Sequence, residues 1–571
     1  MAFSFRKGLL APTLALAALA GCGGDSEPTQ VRQTAYGEIE GINDRANRVL
    51  SWKGIPFARP PVGELRWKAP VEPEPWSGRL AAQAFGNACI QNGRIYGPGA
   101  NNTYDETIAD TLNTPGGSED CLTLNIWRPD NGQGNLPVIF FVYGGSNISG
   151  YTADPVYDGA NLAKAANAVV VTANYRLGVF GFLNLPQLKT GTDAASDSGN
   201  FALLDSIQAL KFVQANIDEF GGDPDNVTVM GQSAGAINTW ALLASPMATG
   251  LMHKAIPLSG GISLASNLPA GTLPTLSPAE TYELQGNALL HDLLVADGTV
   301  PDLAAAPDWV AGRTPEQIAD YMRSKDAGTI LGIVLGRLAA AGLGGSGPIP
   351  DGTVLPTDPI AEIGAGNYPR MPILAGMTRD EGKLFAPFLT LFGGPPGMII
   401  SDADRFRLMM NFDPDAPTTL TNADILHPFY LPVDTPDTGY NARTALLGRI
   451  FMEANRDNVM DTVRSQQNNV WYYQFEWDEE PAPWNDVYGA AHAFDLPFVF
   501  GNFGPSLFSN AVNSEANRPG REALSTAMMD SIAAFVRNGD PNHPGLGVNW
   551  APWPSQLIFD ASPTATAITT R

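Results

Sequence analysis

The chain has 571 residues with 34 Lys and Arg against 58 Asp and Glu, a formal net charge of −24, yet only 16% of its residues are charged and 44% are hydrophobic. With 11 Trp among them it can build a large core, which excludes an intrinsically disordered protein. The shortage of basic residues excludes nucleic acid as a partner, because phosphate recognition needs a Lys/Arg surplus on one face.

The first element along the chain is an address rather than a piece of fold. Arg6 and Lys7 precede the apolar stretch LLAPTLALAALAG, which is too short and Pro-interrupted to span a bilayer. Leu19-Ala20-Gly21-Cys22 resembles a bacterial lipobox, so residues 1–21 are read as a lipoprotein signal peptide and Cys22 as the lipidated first residue of the mature chain. The expected location is outside the cell interior, lipid-anchored through Cys22 to the bacterial envelope, with Gly23 favouring the outer membrane. Residues 22–32 form a polar tether, and residues 33–571, which no Pro- or Ser-rich linker divides, form one catalytic domain. Export leads to an oxidising compartment, where Cys89 and Cys121 can pair; closing that loop contributes roughly 3 to 4 kcal/mol in the chain-entropy model. Three cysteines at these positions do not make a zinc site.

Further on, apolar β-branched runs recur at 137–143 (PVIFFVY), 168–173 (AVVVTA), 227–230 (VTVM), 256–259 and 372–377. Continuous rather than alternating hydrophobicity suits strands covered on both faces. Between them, residues 200–220 carry Leu203, Leu204, Ile207, Leu210, Phe212, Val213 and Ile217 at mostly helical spacing, and 234–243 reads as a helix following directly on a strand. The alternation predicts an α/β fold with a mostly parallel central sheet flanked by helices. The Ala- and Leu-rich stretch 262–347 reads as helices inserted over the sheet's C-terminal edge.

Gly231-Gln232-Ser233-Ala234-Gly235 fits G-x-S-x-G, a turn that exposes a serine between a strand and a helix, and VTVM before it and AINTWALLA after it supply that context. A serine hydroxyl needs a base to remove its proton and an acid to orient the base. Five histidines are available, His253, His291, His427, His492 and His543. On such turns the chain order is nucleophile, acid, base, which favours a late histidine. His492, in the small-residue turn GAAHAFD, is the first choice and His427 the second. For the acid, Glu381 and Asp380 both sit just beyond the apolar run PILAGM, where α/β sheets place functional groups, and the two remain open.

Several blocks together carry a family resemblance over most of the chain. GIPFARPPVGELRW (54–67), SEDCLTLNIW (118–127), NYRLGVFGFL (174–183) and NIDEFGGDPDNVTVMGQSAG (216–235) resemble, in order, the blocks of the type B carboxylesterases, the cholinesterase-like branch of the α/β-hydrolases. The resemblance implies the α/β-hydrolase fold with helical insertions over the active site. It implies Ser233 as nucleophile, Glu381 as acid and His492 as base, a disulfide between Cys89 and Cys121, and a small-molecule ester substrate hydrolysed without metal or organic cofactor. It also implies an oxyanion hole of backbone N–H groups from Gly145, Ser146 and Ala234. Ser146 and Asn147 depart from the family's usual third glycine and aromatic, and Gln232 departs from its usual Glu. Between Cys89 and Cys121 the aromatics are Tyr96 and Tyr104, with no Trp platform for a quaternary ammonium, which argues against true cholinesterase activity. The alternatives are a non-catalytic neuroligin-like binding protein, a kind of relative that lacks the nucleophile, and a serine hydrolase of amide, carbamate or polyester bonds. The oligomeric state is left open.

Overall fold

The structure, a computed structural model, describes residues 30–571; the signal peptide, Cys22 and the greater part of the tether lie outside the described residues. The first strand, Val31–Thr34, already takes up residues 31 and 32 of the expected tether and pairs with Gly37–Glu40, which in turn pairs with Arg79–Ala81 in a small separate sheet.

The main sheet has eleven strands: β1 (Ile42–Asp44), β2 (Val49–Pro56), β3 (Thr123–Pro129), β4 (Leu136–Val142), β5 (Val169–Ala173), β6 (Gly222–Gln232), β7 (Lys254–Leu258), β8 (Ile373–Thr378), β9 (Val470–Phe475), β10 (Leu557–Phe559) and β11 (Thr569–Thr570). Their order across the sheet is β11-β10-β9-β8-β7-β6-β4-β5-β3-β2-β1. From β5 to β10 all neighbours are parallel. The flanks, β1 to β3 on one side and β11 on the other, pair antiparallel. Every residue of β4, β5 and β8 is buried, as continuous apolar runs require when helices cover both faces.

Helix α1 (Phe201–Asn216) is buried over nearly its whole circumference, so its apolar residues do not form a single stripe. Helix α2 (Ala234–Ala244) starts directly from β6, and α3 (Arg518–Asn538) packs along the sheet near the C-terminus. A buried fork ties the loop after β5 to α1. Arg176 donates through Nε and Nη2 to Asp205, at 2.8 and 2.7 Å, and the Arg176 backbone N–H adds a third bond at 3.0 Å. Cys89 and Cys121 are joined by a disulfide, with Cα atoms 5.0 Å apart.

The inserted stretch contains the helices Ala279–Ala296, Ala306–Ala311, Pro315–Arg323 and Ala327–Ile333. Leu289, Leu290, Leu293 and Leu294 close with Trp67, Phe180 and Ile330 into a second apolar core of their own. Trp67 anchors that core by donating to the Val179 carbonyl at 2.8 Å. The C-terminal ends of β4, β6, β7, β8 and β9, adjacent in the sheet, therefore share one edge, and the candidate residues collect there.

Candidate active site

Ser233 directly follows β6 with φ +58° and ψ −122°, a conformation that residues with side chains rarely adopt. Its neighbours explain how the turn closes. A Cβ on Gly231 would lie 2.2 Å from the Gly235 carbonyl oxygen, and one on Gly235 would lie 2.0 Å from that of Val142, so only glycine fits at either place. The Ser233 N–H donates to Leu258 at 2.8 Å, and the Ser233 carbonyl accepts from Ala236 and Ile237 in the first turn of α2. The hydroxyl thus stands half-buried above the positive end of a helix.

Glu381 lies just past β8, almost fully buried. Its Oε1 accepts from Ser259 Oγ at 2.7 Å and from the Thr378 N–H at 2.9 Å, and its Oε2 accepts from Nδ1 of His492. Burial opposes the charge, but the imidazole and these two donors outweigh it and hold the carboxyl below its usual range. Asp380, the other acid the sequence left open, points elsewhere. It pairs with Arg379 at 2.7 Å, approaches Lys383 and accepts from the Ala490 N–H at 3.2 Å, while its own N–H donates to the Ala490 carbonyl. Asp380 thus fastens the acid loop to the histidine loop, and Glu381 faces the ring.

His492 is 2% exposed and sits in a turn bounded by two left-handed residues, Gly489 (φ +51°) and Ala493 (φ +71°). Phe385 packs against its ring, with centroids 4.8 Å apart. His427, the second choice, accepts from the Phe429 N–H in a short surface turn and does not line the cleft that holds Ser233 and His492. His253 accepts from the Val227 N–H, and His543 stands 3.2 Å from Ser531 Oγ.

The turn after β4 supplies Gly145 (φ +108°), Ser146 (φ +57°) and Asn147 (φ +58°), three consecutive residues with positive φ. A Cβ on Gly145 would meet the Ser149 carbonyl oxygen at 2.1 Å. Among the described residues the N–H groups of Gly145, Ser146 and Ala234 donate to no protein acceptor, which leaves them available to an oxygen lodged beside Ser233. Asn147 has a structural reason of its own. It tolerates the left-handed conformation, accepts from Asn238 of α2 at 2.8 Å and accepts at its carbonyl from the Gly178 N–H at 2.7 Å. This joins the turn after β4 to helix α2.

Ser233, His492, Gln232, Gly144, Gly145 and Ser146 open on a cleft walled by Tyr96, Tyr157, Leu384, Phe385, Ala493 and Phe508. Tyr96 stacks on Phe508, while Tyr104 turns away against Phe406. Among the described residues no Trp and no carboxylate line it. Two supporting residues have no signal in the sequence. Ser259 meets Glu381 from the end of the neighbouring strand β7, and Asp495 is fully buried, accepting from Tyr473 Oη at 2.7 Å. Burial pushes the Asp495 carboxyl up to about 6.

Compared with known proteins, residues 28–560 match the profile of the carboxylesterase family. The chain is 33% identical to the para-nitrobenzyl esterase of Bacillus subtilis (strain 168) over 541 residues, which covers 94% of this chain and 96% of the relative. It is 32% identical to the fumonisin B1 esterase of Sphingopyxis macrogoltabida over 534 residues, covering 92% and 84% respectively. An acetylcholinesterase of Leptinotarsa decemlineata is 30% identical, with 93% and 82% covered. Among solved structures, a PNB esterase superposes with a TM-score of 0.70 at 30% identity over 95% of this chain and 97% of that one. The carboxylesterase of Geobacillus stearothermophilus at pH 6.2 gives a TM-score of 0.67 at 29% identity, covering 95% and 98%.

Proposed function

The chain belongs to the carboxylesterase family, with the α/β-hydrolase fold, and is a carboxylesterase; from that premise we propose that it cleaves small-molecule esters through an acyl-enzyme on Ser233, with His492 as base and Glu381 as the acid that orients it. The observation that carries this reading is the alignment of groups across one cleft. Glu381 holds Nδ1 of His492, the far edge of the ring faces the Ser233 turn, and three unoccupied N–H groups stand beside it.

With Nδ1–H directed at the carboxylate, the lone pair of the neutral imidazole lies on Nε2. That nitrogen takes the Ser233 proton as Oγ attacks the ester carbonyl, and Glu381 stabilises the imidazolium that forms. The carbonyl oxygen becomes negative and moves onto the N–H groups of Gly145, Ser146 and Ala234; each such donor is worth about 10² to 10³ in rate. The imidazolium then gives its proton to the departing alcohol, and water repeats the sequence on the acyl-enzyme. The uncharged aromatic and aliphatic walls suit neutral esters of modest size, such as para-nitrobenzyl or p-nitrophenyl esters, over cationic ones.

Ser233→Ala tests this directly. Turnover of p-nitrophenyl acetate should vanish while the far-UV spectrum and the melting transition stay those of the parent; retained turnover rules Ser233 out.

The envelope attachment through Cys22 stands as a second part of the proposal, supported by Arg6, Lys7, the apolar stretch and the small residues before Cys22. Mass spectrometry of membrane-fraction protein should find an acylated N-terminal Cys22, and a soluble chain starting elsewhere refutes it.

A further inference from the structure

Gln232 immediately precedes Ser233, is 2% exposed, and places its side-chain Nε2 at 3.1 Å from Nε2 of His492. The other ring nitrogen is committed to Glu381, so the neutral ring has one lone pair to offer, and it lies at this contact. A carboxamide nitrogen can only donate. The opposite orientation of the amide would set Oε1 against the lone pair, and Oε1 instead faces the oxyanion turn, where a Cβ on Gly144 would lie 2.8 Å from it. Ser233 Oγ makes no hydrogen bond among the described residues. Two adjacent residues of one turn therefore compete for the same lone pair, and in the free enzyme the amide holds it.

We propose that Gln232 is a positioning residue that occupies the base of the substrate-free enzyme and gives His492 up to Ser233 when an ester enters the cleft; this rests on the roles assigned above to Ser233, His492 and Glu381. The amide keeps the ring in the tautomer that acylation needs, with its proton on Nδ1 and its lone pair on Nε2. It also costs reactivity, because that bond must break before Oγ can be deprotonated. A carboxylate at this position has no proton to give Nε2, so the device belongs to glutamine and not to the glutamate that usually stands there in the resembling family.

Gln232→Met keeps the length of the side chain and removes both donors, and Gln232→Leu is the second variant should the first fail to fold. Because a neutral hydrogen bond nets roughly 0.5 to 1.5 kcal/mol, the second-order rate of inactivation by a fluorophosphonate should rise about twofold to thirteenfold. A purely structural role predicts no rise. A second readout uses the unmutated enzyme with 15N-labelled glutamine. The Gln232 carboxamide signal, assigned by its loss in the variant, should shift upfield when the fluorophosphonate adduct forms and the ring is taken over. An unchanged or slower inactivation rate in folded variant, or a carboxamide signal that stays put on adduct formation, overturns the proposal. Failure of the underlying reading looks different: the unmutated enzyme would not be labelled at all, or would be labelled away from Ser233.

Discussion

Replacing Glu381 by Gln exchanges one carboxylate oxygen for an NH2 group and should remove nearly all activity without unfolding the protein. The carboxylate's two oxygens have separate duties. Oε1 is pinned by Ser259 Oγ at 2.7 Å and by the Thr378 N–H at 2.9 Å, and Oε2 faces His492 Nδ1. Both partners of Oε1 are donors, so the glutamine must keep its carbonyl there and turn its NH2 toward the ring. An NH2 facing Nδ1 favours the tautomer with the proton on Nε2, and that ring cannot accept from Ser233. Trapping a catalytic histidine in the wrong tautomer lowers kcat by about 10⁴, equivalent to about 5 kcal/mol of barrier. The binding walls are untouched, so KM for p-nitrophenyl acetate should change less than about threefold, and a buried charge is lost while its hydrogen bonds survive. Steady-state kinetics of Glu381→Gln and Asp380→Asn side by side are the assay. Asp380 contacts Arg379, Lys383 and Ala490 rather than the ring, so its variant should keep kcat within about tenfold. A folded Glu381→Gln enzyme within tenfold of the parent, or an Asp380→Asn enzyme that is the more damaged, refutes the assignment.

Three further outcomes can be checked by denaturation. Ser146 stands at φ +57°, so Ser146→Gly should gain up to about 1 kcal/mol in urea unfolding and leave kcat within about threefold, since the N–H donor remains; a tenfold loss of kcat would show that the serine side chain matters. Asp205→Ala strands the buried Arg176 guanidinium and should cost about 3 to 5 kcal/mol, whereas a loss below about 1 kcal/mol would mean the fork is dispensable. The Asp495 carboxyl is raised from 3.8 to about 6 by burial, so the stabilisation due to its neutral form is complete below about pH 4 and lost as pH rises through about 6. Asp495→Asn should therefore match the parent near about pH 4 and exceed it by up to about 3 kcal/mol near about pH 8; equal stability at both ends contradicts this.

Much of the fold is legible because buried parallel strands leave continuous apolar runs: PVIFFVY, AVVVTA and PILAGM fall on β4, β5 and β8. The antiparallel flank is harder to read. β2 (VLSWKGIP) carries a Gly and a Pro, and its register shifts between Trp52 and Ile55, so no clean period of two survives. At the site, the G-x-S-x-G turn can be read locally because its glycines are demanded by contacts within a few residues and one neighbouring strand. Glu381 and Asp380 are adjacent, and which of them meets the ring depends on where residues 489–493 return, a contact more than a hundred residues away. Ser259 carries no mark in the sequence for the same reason, since its partner Glu381 lies on another strand end. Gln232 is visible there only as a departure from the family pattern, since its reach to His492 exists only once the β6 turn and the histidine loop are assembled.

The most direct measurement is the site of covalent modification. Intact protein treated with a fluorophosphonate, then digested and sequenced by mass spectrometry, should carry one adduct, on Ser233 within the peptide containing Gly231-Gln232-Ser233-Ala234-Gly235, and lose esterase activity in proportion to labelling. An adduct on another residue, or full activity in quantitatively labelled protein, would contradict the account.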